Sequence, residues 1–370
     1  MIVLLNALQA GNRSGTGRYT WELARWAPVV AEGLDVAVLW PEHVPRPGGR
    51  GIGHGACVPC RARHAAGRLY MDQVGIRRVC SQIGADVVHY PASVGSLTGL
   101  RNSIVTVHDL SFLHNPGWFR PGRAAYYRYA VGRSARMAGR VIADSEATAA
   151  DLEELVGLGR ERVDVIPLGV DEAYRPVGAE GTAALRAKYG LPERYFLYVG
   201  TLEPRKNVVR LVEAWSRIAD VCECDLVIAG REGWKVGQIR RVIAGLAQGH
   251  RVHRPGFIAH EDLPGVICGS RAFVWPSLWE GFGLPPLEAM ACGVPVLTSN
   301  VSSLPEVVGD AALTVDPYDV EAIADGMRRL ADDEALRDGL KERGVERAGL
   351  FTWHGTAEAT VETYRKVLGL

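Results

Sequence analysis

The chain has 370 residues, of which 47% are hydrophobic, and its 42 basic and 42 acidic side chains give a formal net charge of zero. This length suits two domains with sizeable cores better than one. No apolar run reaches the roughly 18 residues of a membrane span, and the seven cysteines lack the spacing of a disulfide framework or zinc ribbon, so reduced thiols are expected.

The charge is distributed unevenly along the chain. Residues 1–150 contain 17 Arg, no Lys and 9 acidic residues, a net charge of +8, so the remainder carries −8. A basic N-terminal half predicts an acidic partner, for which an anionic membrane surface or a lipid pyrophosphate is favoured over nucleic acid. A solvated arginine-rich surface is the alternative.

Short apolar runs alternate with longer amphipathic ones in the first half, which predicts a parallel α/β domain. Residues 1–6 lack the charged start and cleavage site of a signal peptide, so we interpret them as a first strand. The Pro- and Gly-rich segment 45–55 is expected to be a mobile loop. The predicted strands are 2–5, 36–39, 87–89, 103–107 and 140–143, and residues 163–171 are predicted to be the last strand of this domain and its exit. The predicted helices are 17–28, 69–82, 121–136 and 146–156.

A glycine-containing loop, residues 11–19, follows the first predicted strand and opens a helix. Backbone N–H groups at Gly15 and Gly17 could approach a diphosphate or an acceptor closely, and Arg18 could contact an anionic acceptor. The loop is not a dinucleotide fingerprint, because Thr20 stands where that pattern needs its third glycine.

His108 comes directly after a buried strand, in the run Val-Thr-Val-His-Asp-Leu. The imidazole is therefore expected at the carboxyl end of a parallel strand, where open α/β sheets bind ligands. A lone histidine is more often structural. In the turn between the predicted strand 140–143 and the predicted helix 146–156, Ser145 is predicted to cap the helix.

The second half begins after residue 176 and repeats the α/β pattern. Its predicted strands are 196–200, 226–230, 252–255, 273–276 and 296–298. Its predicted helices are 207–219, 320–332, 334–347 and 356–367. No internal repeat or low-complexity tract occurs.

Two adjacent cations, Arg205 and Lys206, follow the first strand of this half. Arginine offers a bidentate fork to phosphate and lysine a compact charge, and both lie where parallel sheets bind ligands. Lys206 is one of five lysines in the chain. The pair predicts a phosphate site, with a solvated basic turn as the alternative.

Glu280 and Glu288 flank the turn Gly-Phe-Gly-Leu-Pro-Pro, which opens a helix. The glycines allow close backbone approach, the prolines suit a helix start, and the free N–H groups of a helix N-terminus favour phosphate. Carboxylates repel phosphate but accept hydrogen bonds from hydroxyls, so the two glutamates suit the hydroxyls of a sugar and a ribose. The segment predicts a nucleotide-sugar site.

These two glutamates, with Ser-Leu-Pro-Glu at 303–306, resemble the donor site of retaining glycosyltransferases of family 4. The resemblance implies an α/β protein of the GT-B fold, in which two Rossmann-like parallel-sheet domains face a central cleft. It implies an acceptor-side domain at 1–174, a nucleotide-sugar domain at 175–354, and a last helix at 355–370 that packs back on the N-terminal domain.

The resemblance also implies roles for individual residues. His108 would contact the transferred sugar near its anomeric centre, and Glu280 would hold sugar hydroxyls beside the oxocarbenium-like centre. Attack would occur on the front face, with the leaving phosphate oxygen taking the acceptor proton. The donor-binding residues would be Arg205, Lys206, Gly281, Phe282, Gly283, Leu284, Glu288, Gly15 and Gly17.

The runs 108–116 and 300–306 look most like bacterial mannosyltransferases that use GDP-mannose, with UDP-glucose or a deoxysugar donor as alternatives. The expected acceptor is a glycan, a lipid-linked glycan or a small molecule. No Asp-x-Asp pair occurs, which predicts catalysis without a metal and no cofactor beyond the nucleotide sugar. A cytoplasmic protein is expected, with peripheral contact to the inner face of an anionic membrane.

Other functions can share this architecture. A nucleotide-sugar epimerase would convert the donor without an acceptor, and a phosphorylase would need inorganic phosphate. A non-catalytic nucleotide-sugar-binding protein would be expected to have lost one of Arg205, Lys206, Glu280 or Glu288, and all four are present.

Overall fold

The structure, a computed structural model, describes residues 1–12, 14–46, 57–62, 64–100 and 102–370. It divides the chain into two compact units, Met1–Gly169 with Phe351–Leu370, and Val170–Leu350. The domain limits predicted from the sequence were 174 and 354. Most of the predicted mobile loop 45–55, and residue 13 of the glycine-containing loop, lie outside the described residues.

The first unit is built on a parallel sheet of seven strands. They are β1 (Ile2–Asn6), β2 (Asp35–Pro41), β3 (Cys57–Cys60), β4 (Val87–Tyr90), β5 (Ser103–Val107), β6 (Arg140–Ala143) and β7 (Val163–Val165). Their spatial order is β3-β2-β1-β4-β5-β6-β7. Every residue of β4 and β5 is buried, as expected for central strands of a parallel sheet that is covered on both faces.

Strand β3 was not predicted. It has four residues, contains Pro59 and pairs only with β2 at the edge of the sheet. An edge strand tolerates proline because one side of its backbone needs no partner. So short a segment shows neither alternation nor an apolar run in the sequence.

Within the described residues, six α-helices of the first unit precede the second unit in the chain. They are α1 (Gly15–Val30), α2 (Ala65–Tyr70), α3 (Ile76–Ile83), α4 (Ser111–His114), α5 (Arg123–Met137) and α6 (Glu146–Val156). A π-helical turn, Met71–Gly75, joins α2 to α3 where one continuous helix was predicted. Ser145 accepts a hydrogen bond from the Thr148 N–H, which confirms it as the N-cap of α6.

The second unit has a six-stranded parallel sheet. Its strands are β8 (Tyr195–Val199), β9 (Asp225–Ala229), β10 (Val252–Gly256), β11 (Ala272–Trp275), β12 (Val296–Ser299) and β13 (Leu313–Val315). Their order is β10-β9-β8-β11-β12-β13. Strand β13, at the edge and three residues long, was not predicted.

Eight helices connect these strands and follow them. They are α7 (Ala179–Tyr189), α8 (Val208–Ile218), α9 (Gly237–Ala244), α10 (Leu263–Cys268), α11 (Leu284–Ala291), α12 (Leu304–Val308), α13 (Val320–Asp332) and α14 (Glu334–Gly349). Helix α13 has the limits that the sequence predicted. Its N-cap Asp319 accepts hydrogen bonds from the N–H groups of Glu321 and Ala322. This capping residue explains why the start of α13 could be predicted from the sequence.

The last helix, α15 (Trp353–Leu368), returns to the first unit and packs on α1. Thr356 Oγ1 donates to the Pro167 carbonyl at 2.8 Å. A Cβ on Gly169 would lie 2.2 Å from the Trp353 backbone nitrogen, so only glycine allows this approach. In the described part of the chain, no helix combines the length and apolarity needed to cross a membrane.

Both sheets reverse their strand order at one point. In the first unit the chain spreads outward on either side of the β1–β4 pair, and in the second on either side of the β8–β11 pair. In open α/β sheets the loops that leave the strands diverge at such a point, and ligands bind in the crevice between them, at the carboxyl ends of the strands.

Candidate functional site

The turn after β8 brings Arg205 and Lys206 to the reversal point of the second sheet. Asn207, which follows them, has a left-handed φ of +60°. Its Nδ2 donates to the carbonyls of Pro276 at 2.9 Å and Pro317 at 2.7 Å. Asn207 thereby ties the turn after β8 to the residue after β11, and so holds the two cations beside the neighbouring strand.

Glu280, in the loop after β11, receives hydrogen bonds from three side chains. Lys206 Nζ donates to both carboxylate oxygens, at 2.7 Å to Oε1 and 2.9 Å to Oε2. Arg205 Nη1 donates to Oε2 at 3.1 Å, and Trp275 Nε1 donates to Oε1 at 3.0 Å. A carboxylate offers about four lone-pair sites, so these contacts use most of its capacity. The sequence predicted all three charged residues at this site.

The charges in this cluster compensate one another. Burial alone would raise the pKa of Glu280, but the charges of Lys206 and Arg205 outweigh it and lower that pKa to about 2. Burial and the like charge of Arg205 lower the pKa of Lys206, against the attraction of Glu280. Arg205 Nη2 also lies 3.3 Å from Glu203 Oε1. Two cations therefore face two carboxylates.

Trp275, the last residue of β11, belongs to this site and was missed by the sequence analysis. Besides its bond to Glu280, its ring lies 4.8 Å from Lys206 Nζ and stacks on Tyr198 with centroids 4.9 Å apart. A cation over an indole face is attracted by the ring quadrupole. The run that contains Trp275 was interpreted only as a buried strand, although its final position lies at the edge where ligands bind.

Two serines hold the backbone of the turn between Glu280 and α11. Ser302 Oγ accepts from the Glu280 N–H at 3.0 Å. Ser303 Oγ donates to the carbonyls of Glu280 at 3.0 Å and Phe282 at 2.7 Å. The sequence analysis used residues 303–306 as a motif but gave the serine hydroxyl no role.

Gly283 ends this turn and is the N-cap of α11. Its φ is +119°, and a Cβ there would lie 2.8 Å from Leu304 Cδ2. That region of φ is open to glycine and strained for other residues. Pro285 and Pro286 follow in the first turn of α11, where a missing N–H costs no intrahelical bond. The turn residues Gly281, Phe282 and Gly283 are buried, and so are Leu284 and Glu288 on α11.

His108 lies in the first unit, directly after β5. Its Nδ1 is 2.6 Å from Asp144 Oδ2 and its Nε2 is 3.0 Å from the Pro91 carbonyl oxygen. The ring of Tyr19 packs edge-on against the imidazole, with centroids 5.1 Å apart and an interplanar angle of 84°. The sequence predicted the place of His108 at the strand end, but not these partners, which lie 36 and 17 residues away in the chain.

Both ring nitrogens of His108 face oxygen acceptors, and only the doubly protonated imidazolium can donate to both. Burial disfavours that charged form, but the carboxylate of Asp144 outweighs burial and raises the pKa of His108. Burial raises the pKa of Asp144 itself, against the opposing effect of His108. The arrangement favours a protonated imidazole.

In the glycine-containing loop at the start of α1, close packing requires a glycine at position 17. A Cβ on Gly17 would lie 1.7 Å from the Asn12 carbonyl oxygen, so this position admits only glycine. Gly15 is exposed at the first position of α1, and Arg18 is half-buried one turn later.

The cysteines form no disulfides, since all seven are free thiols. Cys57 and Cys60 lie at the two ends of the edge strand β3. Among the described residues, no group of three or more His, Cys, Asp or Glu side chains is placed to hold a metal ion.

Family comparisons agree with this geometry. The family model "Glycosyltransferase Family 4" matches residues 13–174, and "Glycosyl transferases group 1" matches residues 182–347. The O-antigen chain mannosyltransferase B of Escherichia coli is 33% identical over 269 residues, which cover 72% of this chain and 71% of that protein. The chain belongs to the family 4 glycosyltransferases. The predicted enzyme class is therefore confirmed.

A second relative of this glycosyltransferase is the serotype-specific mannosyltransferase WbdA of Escherichia coli, 31% identical over 335 residues. The match covers 85% of this chain and 41% of WbdA, so the chain spans less than half the length of that relative.

Solved structures of other glycosyltransferases share the fold. Sucrose-phosphate synthase from Thermosynechococcus elongatus matches with a TM-score of 0.76 at 24% identity, over 100% of this chain and 99% of that chain. WaaG, a glycosyltransferase involved in lipopolysaccharide biosynthesis, matches with a TM-score of 0.72 at 17% identity, over the whole of both chains. The predicted GT-B fold, with its two Rossmann-like parallel-sheet domains, is confirmed.

Proposed function

We propose that this glycosyltransferase transfers mannose from GDP-mannose to a glycan acceptor, with retention of anomeric configuration and without a metal ion. The mannose assignment is supported by two relatives, the O-antigen chain mannosyltransferase B and WbdA, whose names state that activity. The residue roles are supported by the geometry of the second unit and by the family resemblance.

The observation that carries the proposal is the cluster of Glu280, Lys206 and Arg205 at the reversal point of the second sheet. A donor diphosphate would attract both cations and compete with Glu280 for their N–H groups. Each bond that a cation transfers to phosphate releases a lone pair of Glu280, which can then accept from a sugar hydroxyl. Phosphate binding and sugar binding are thereby coupled through one carboxylate.

Charge balance sets the rest of the donor site. Arg205 and Lys206 are already balanced by Glu203 and Glu280, so a bound diphosphate needs further positive potential. The turn Gly281–Leu284 opens α11, and N–H groups at a helix N-terminus supply such potential. We assign this backbone to the phosphates and transferred sugar, and Glu288 on α11 to the ribose hydroxyls.

The depressed pKa of Glu280 bears on its catalytic role. A carboxyl with a pKa of about 2 is ionised at neutral pH and cannot act as a general acid. It can stabilise positive charge that develops at the anomeric carbon. The leaving phosphate oxygen then takes the acceptor proton, as the family precedent for retention requires. His108 is assigned to the transferred sugar, and Gly15 and Gly17 to the donor diphosphate, on the same precedent.

The acceptor side is assigned to the first unit. Arg18 on α1 is the candidate for an anionic acceptor group. Tyr70, on α2, and Tyr129, on α5, expose 62% and 60% of their surface in the arginine-rich part of the chain. Exposed aromatic and cationic side chains suit the headgroup region of an anionic bilayer, which supports a lipid-linked acceptor.

Nucleotide release with defined donors tests this function. The protein is incubated with GDP-mannose and methyl α-mannoside in excess chelator, and GDP and the disaccharide are measured. We expect acceptor-dependent GDP release, unchanged by chelator, and an α-linked product by NMR. Activity that magnesium or manganese must restore, or a β-linked product, would contradict the mechanism.

Parallel reactions separate the alternatives. UDP-glucose and dTDP sugars in place of GDP-mannose test the donor, and turnover of these alone would overturn the mannose assignment. Conversion of the donor with no acceptor present would indicate an epimerase. Dependence on inorganic phosphate would indicate a phosphorylase.

A further inference from the structure

A chain of hydrogen bonds runs through the core of the first unit, from the last helix to β5. Tyr364 Oη, on α15, lies 2.9 Å from His89 Nδ1. His89 Nε2 lies 2.8 Å from Thr106 Oγ1, and Thr106 Oγ1 lies 3.0 Å from Tyr19 Oη. All four residues have a relative exposure of 0%. Each hydrogen-bonding group in this chain is therefore cut off from water.

The chain ends against His108. Tyr19, which also has a hydrogen bond to Thr360 on α15, packs its ring edge-on against the His108 imidazole. Thr106, one bond earlier, lies two residues before His108 on β5. The network therefore holds both the backbone that leads to His108 and the ring that contacts its side chain.

The ionisable members of this chain are neutral. Burial, with a smaller effect of His108, lowers the pKa of His89 to about 3, so His89 carries one N–H and one acceptor nitrogen. Burial raises the pKa of both Tyr19 and Tyr364, so both keep their protons. If Tyr364 donates to His89 Nδ1, then His89 Nε2 donates to Thr106; in the other tautomer Thr106 donates to Nε2 and Nδ1 donates to Tyr364. Loss of the Tyr364 hydroxyl therefore leaves the buried Nδ1 of His89 unsatisfied and no longer fixes the direction of the His89–Thr106 bond.

We propose that Tyr364 is a positioning residue for His108, acting through His89, Thr106 and Tyr19. The tyrosine belongs to the last helix, so the hydroxyl that fixes the imidazole lies more than 250 residues further along the chain (the His89–Tyr364 bond spans 275). The catalytic consequence rests on the proposed contact between His108 and the transferred sugar. The structural consequence does not, because it concerns only the His108 ring.

The test is Tyr364→Phe, which removes one hydroxyl and keeps the ring. The readout is solvent exchange of the His108 Nδ1 proton by NMR, because the Asp144 hydrogen bond protects this proton. We expect exchange to accelerate by a factor of roughly three to ten, the equivalent of one net hydrogen bond. Tyr19→Phe, which also removes the bond to Thr360, should accelerate exchange at least as much, and combining it with Tyr364→Phe should add little, because both variants break the same path.

Thr363→Val is the matched control. Thr363 is buried on the same helix, and its hydroxyl bonds Asp164 Oδ2 at 3.0 Å, outside the chain that leads to His108. It should lower the melting temperature as Tyr364→Phe does, yet leave His108 exchange at the wild-type rate. Equal exchange at His108 in wild type and Tyr364→Phe, or equal acceleration in Thr363→Val, would overturn the proposal.

Activity distinguishes this inference from the proposed function. In Tyr364→Phe, kcat for mannosyl transfer should fall while KM for GDP-mannose stays near the wild-type value, since Arg205, Lys206 and Glu288, which are assigned to the nucleotide, lie in the other unit. Retention of full activity by His108→Ala would refute the assigned role of His108. That outcome would not affect the NMR result, which tests only whether Tyr364 positions the His108 ring.

Discussion

The two units carry buried charged centres of opposite sign on the same type of sheet. In the second unit an anion, Glu280, is surrounded by donors from Lys206, Arg205 and Trp275. In the first unit an imidazole, His108, is surrounded by acceptors, Asp144 and the Pro91 carbonyl. The same topology therefore supports two chemistries, and the side chains that leave each strand decide which one.

The two centres also differ in whether a ligand can displace their hydrogen-bonding partners. In the proposed donor complex, a phosphate would attract Lys206 and Arg205 away from Glu280. The acceptors of His108 are a backbone carbonyl and a buried carboxylate. An anionic ligand would be repelled by that carboxylate, so it would not readily displace either acceptor. We therefore interpret the second centre as the one that rearranges on binding, and the first as one that is fixed in advance.

The largest expected effect comes from Glu280→Gln. The amide keeps the shape but removes the negative charge opposite Lys206 and Arg205. We expect kcat to fall by about two orders of magnitude or more, because charge stabilisation of the transition state is lost. Steady-state kinetics with GDP-mannose measure this. Glu321→Gln, an exposed glutamate paired with Arg217, should leave kcat unchanged, and full activity of Glu280→Gln would mean that the site is misplaced.

Gly283→Ala probes the backbone of the same centre. Its φ of +119° and the Leu304 side chain beside it predict a loss of roughly 1–3 kcal/mol of stability. Nucleotide affinity should fall too, because the turn that opens α11 must shift. Gly190→Ala is the control, since Gly190 also has a positive φ, +62°, but open space around it. That variant should lose stability in a denaturant titration and keep its affinity for GDP.

Acid should weaken the second centre through Glu280. Its pKa is about 2 in the folded protein against a usual 4.5, so its ionised form stabilises the fold above the higher value. That contribution is lost as pH falls from about 4.5 through about 2. The difference in unfolding free energy between wild type and Glu280→Gln should shrink by roughly 2 kcal/mol between about pH 6 and about pH 3. A difference independent of pH would show that Glu280 is not ionised in the fold as described.

Asp144→Asn tests the first centre through the pKa of His108. Asp144 is the main group that raises the pKa of His108, with Asp109 adding to it and burial opposing it. Its loss should lower the pKa of His108, measured by NMR titration of the imidazole. Asp151→Asn, which breaks the similar pair with His114, should leave His108 unchanged. An unaltered His108 titration in Asp144→Asn would remove the basis for a protonated imidazole.

The sequence predicted the elements whose signals are local. Central strands such as β5 are continuous apolar runs, and α13 has its own capping residue, so both could be identified without tertiary information. Edge strands β3 and β13 could not, since four and three residues show no pattern and their stability comes from a neighbour.

The residues of the site also fall into those that local signals predicted and those that only tertiary structure reveals. Arg205, Lys206 and Glu280 were predicted together because each follows a strand of one sheet and their charges suggest a ligand. Trp275 and Ser303 were missed as site residues because a buried aromatic or hydroxyl looks like core until its partner is known. The His108–Asp144 pair depends on the register between β5 and β6, which no local pattern specifies.

Calorimetric titration of GDP into wild type and Lys206→Met tests the central claim most directly. The claim is that the cations held by Glu280 form the diphosphate site. Lys341→Met, which removes an exposed lysine paired with Asp338 on α14, is the control, and melting curves verify that all three proteins are folded. We expect wild type and the control to bind GDP equally, and Lys206→Met to bind it about 10- to 100-fold more weakly, the cost of a charged hydrogen bond. Equal affinity in Lys206→Met and wild type would contradict the account.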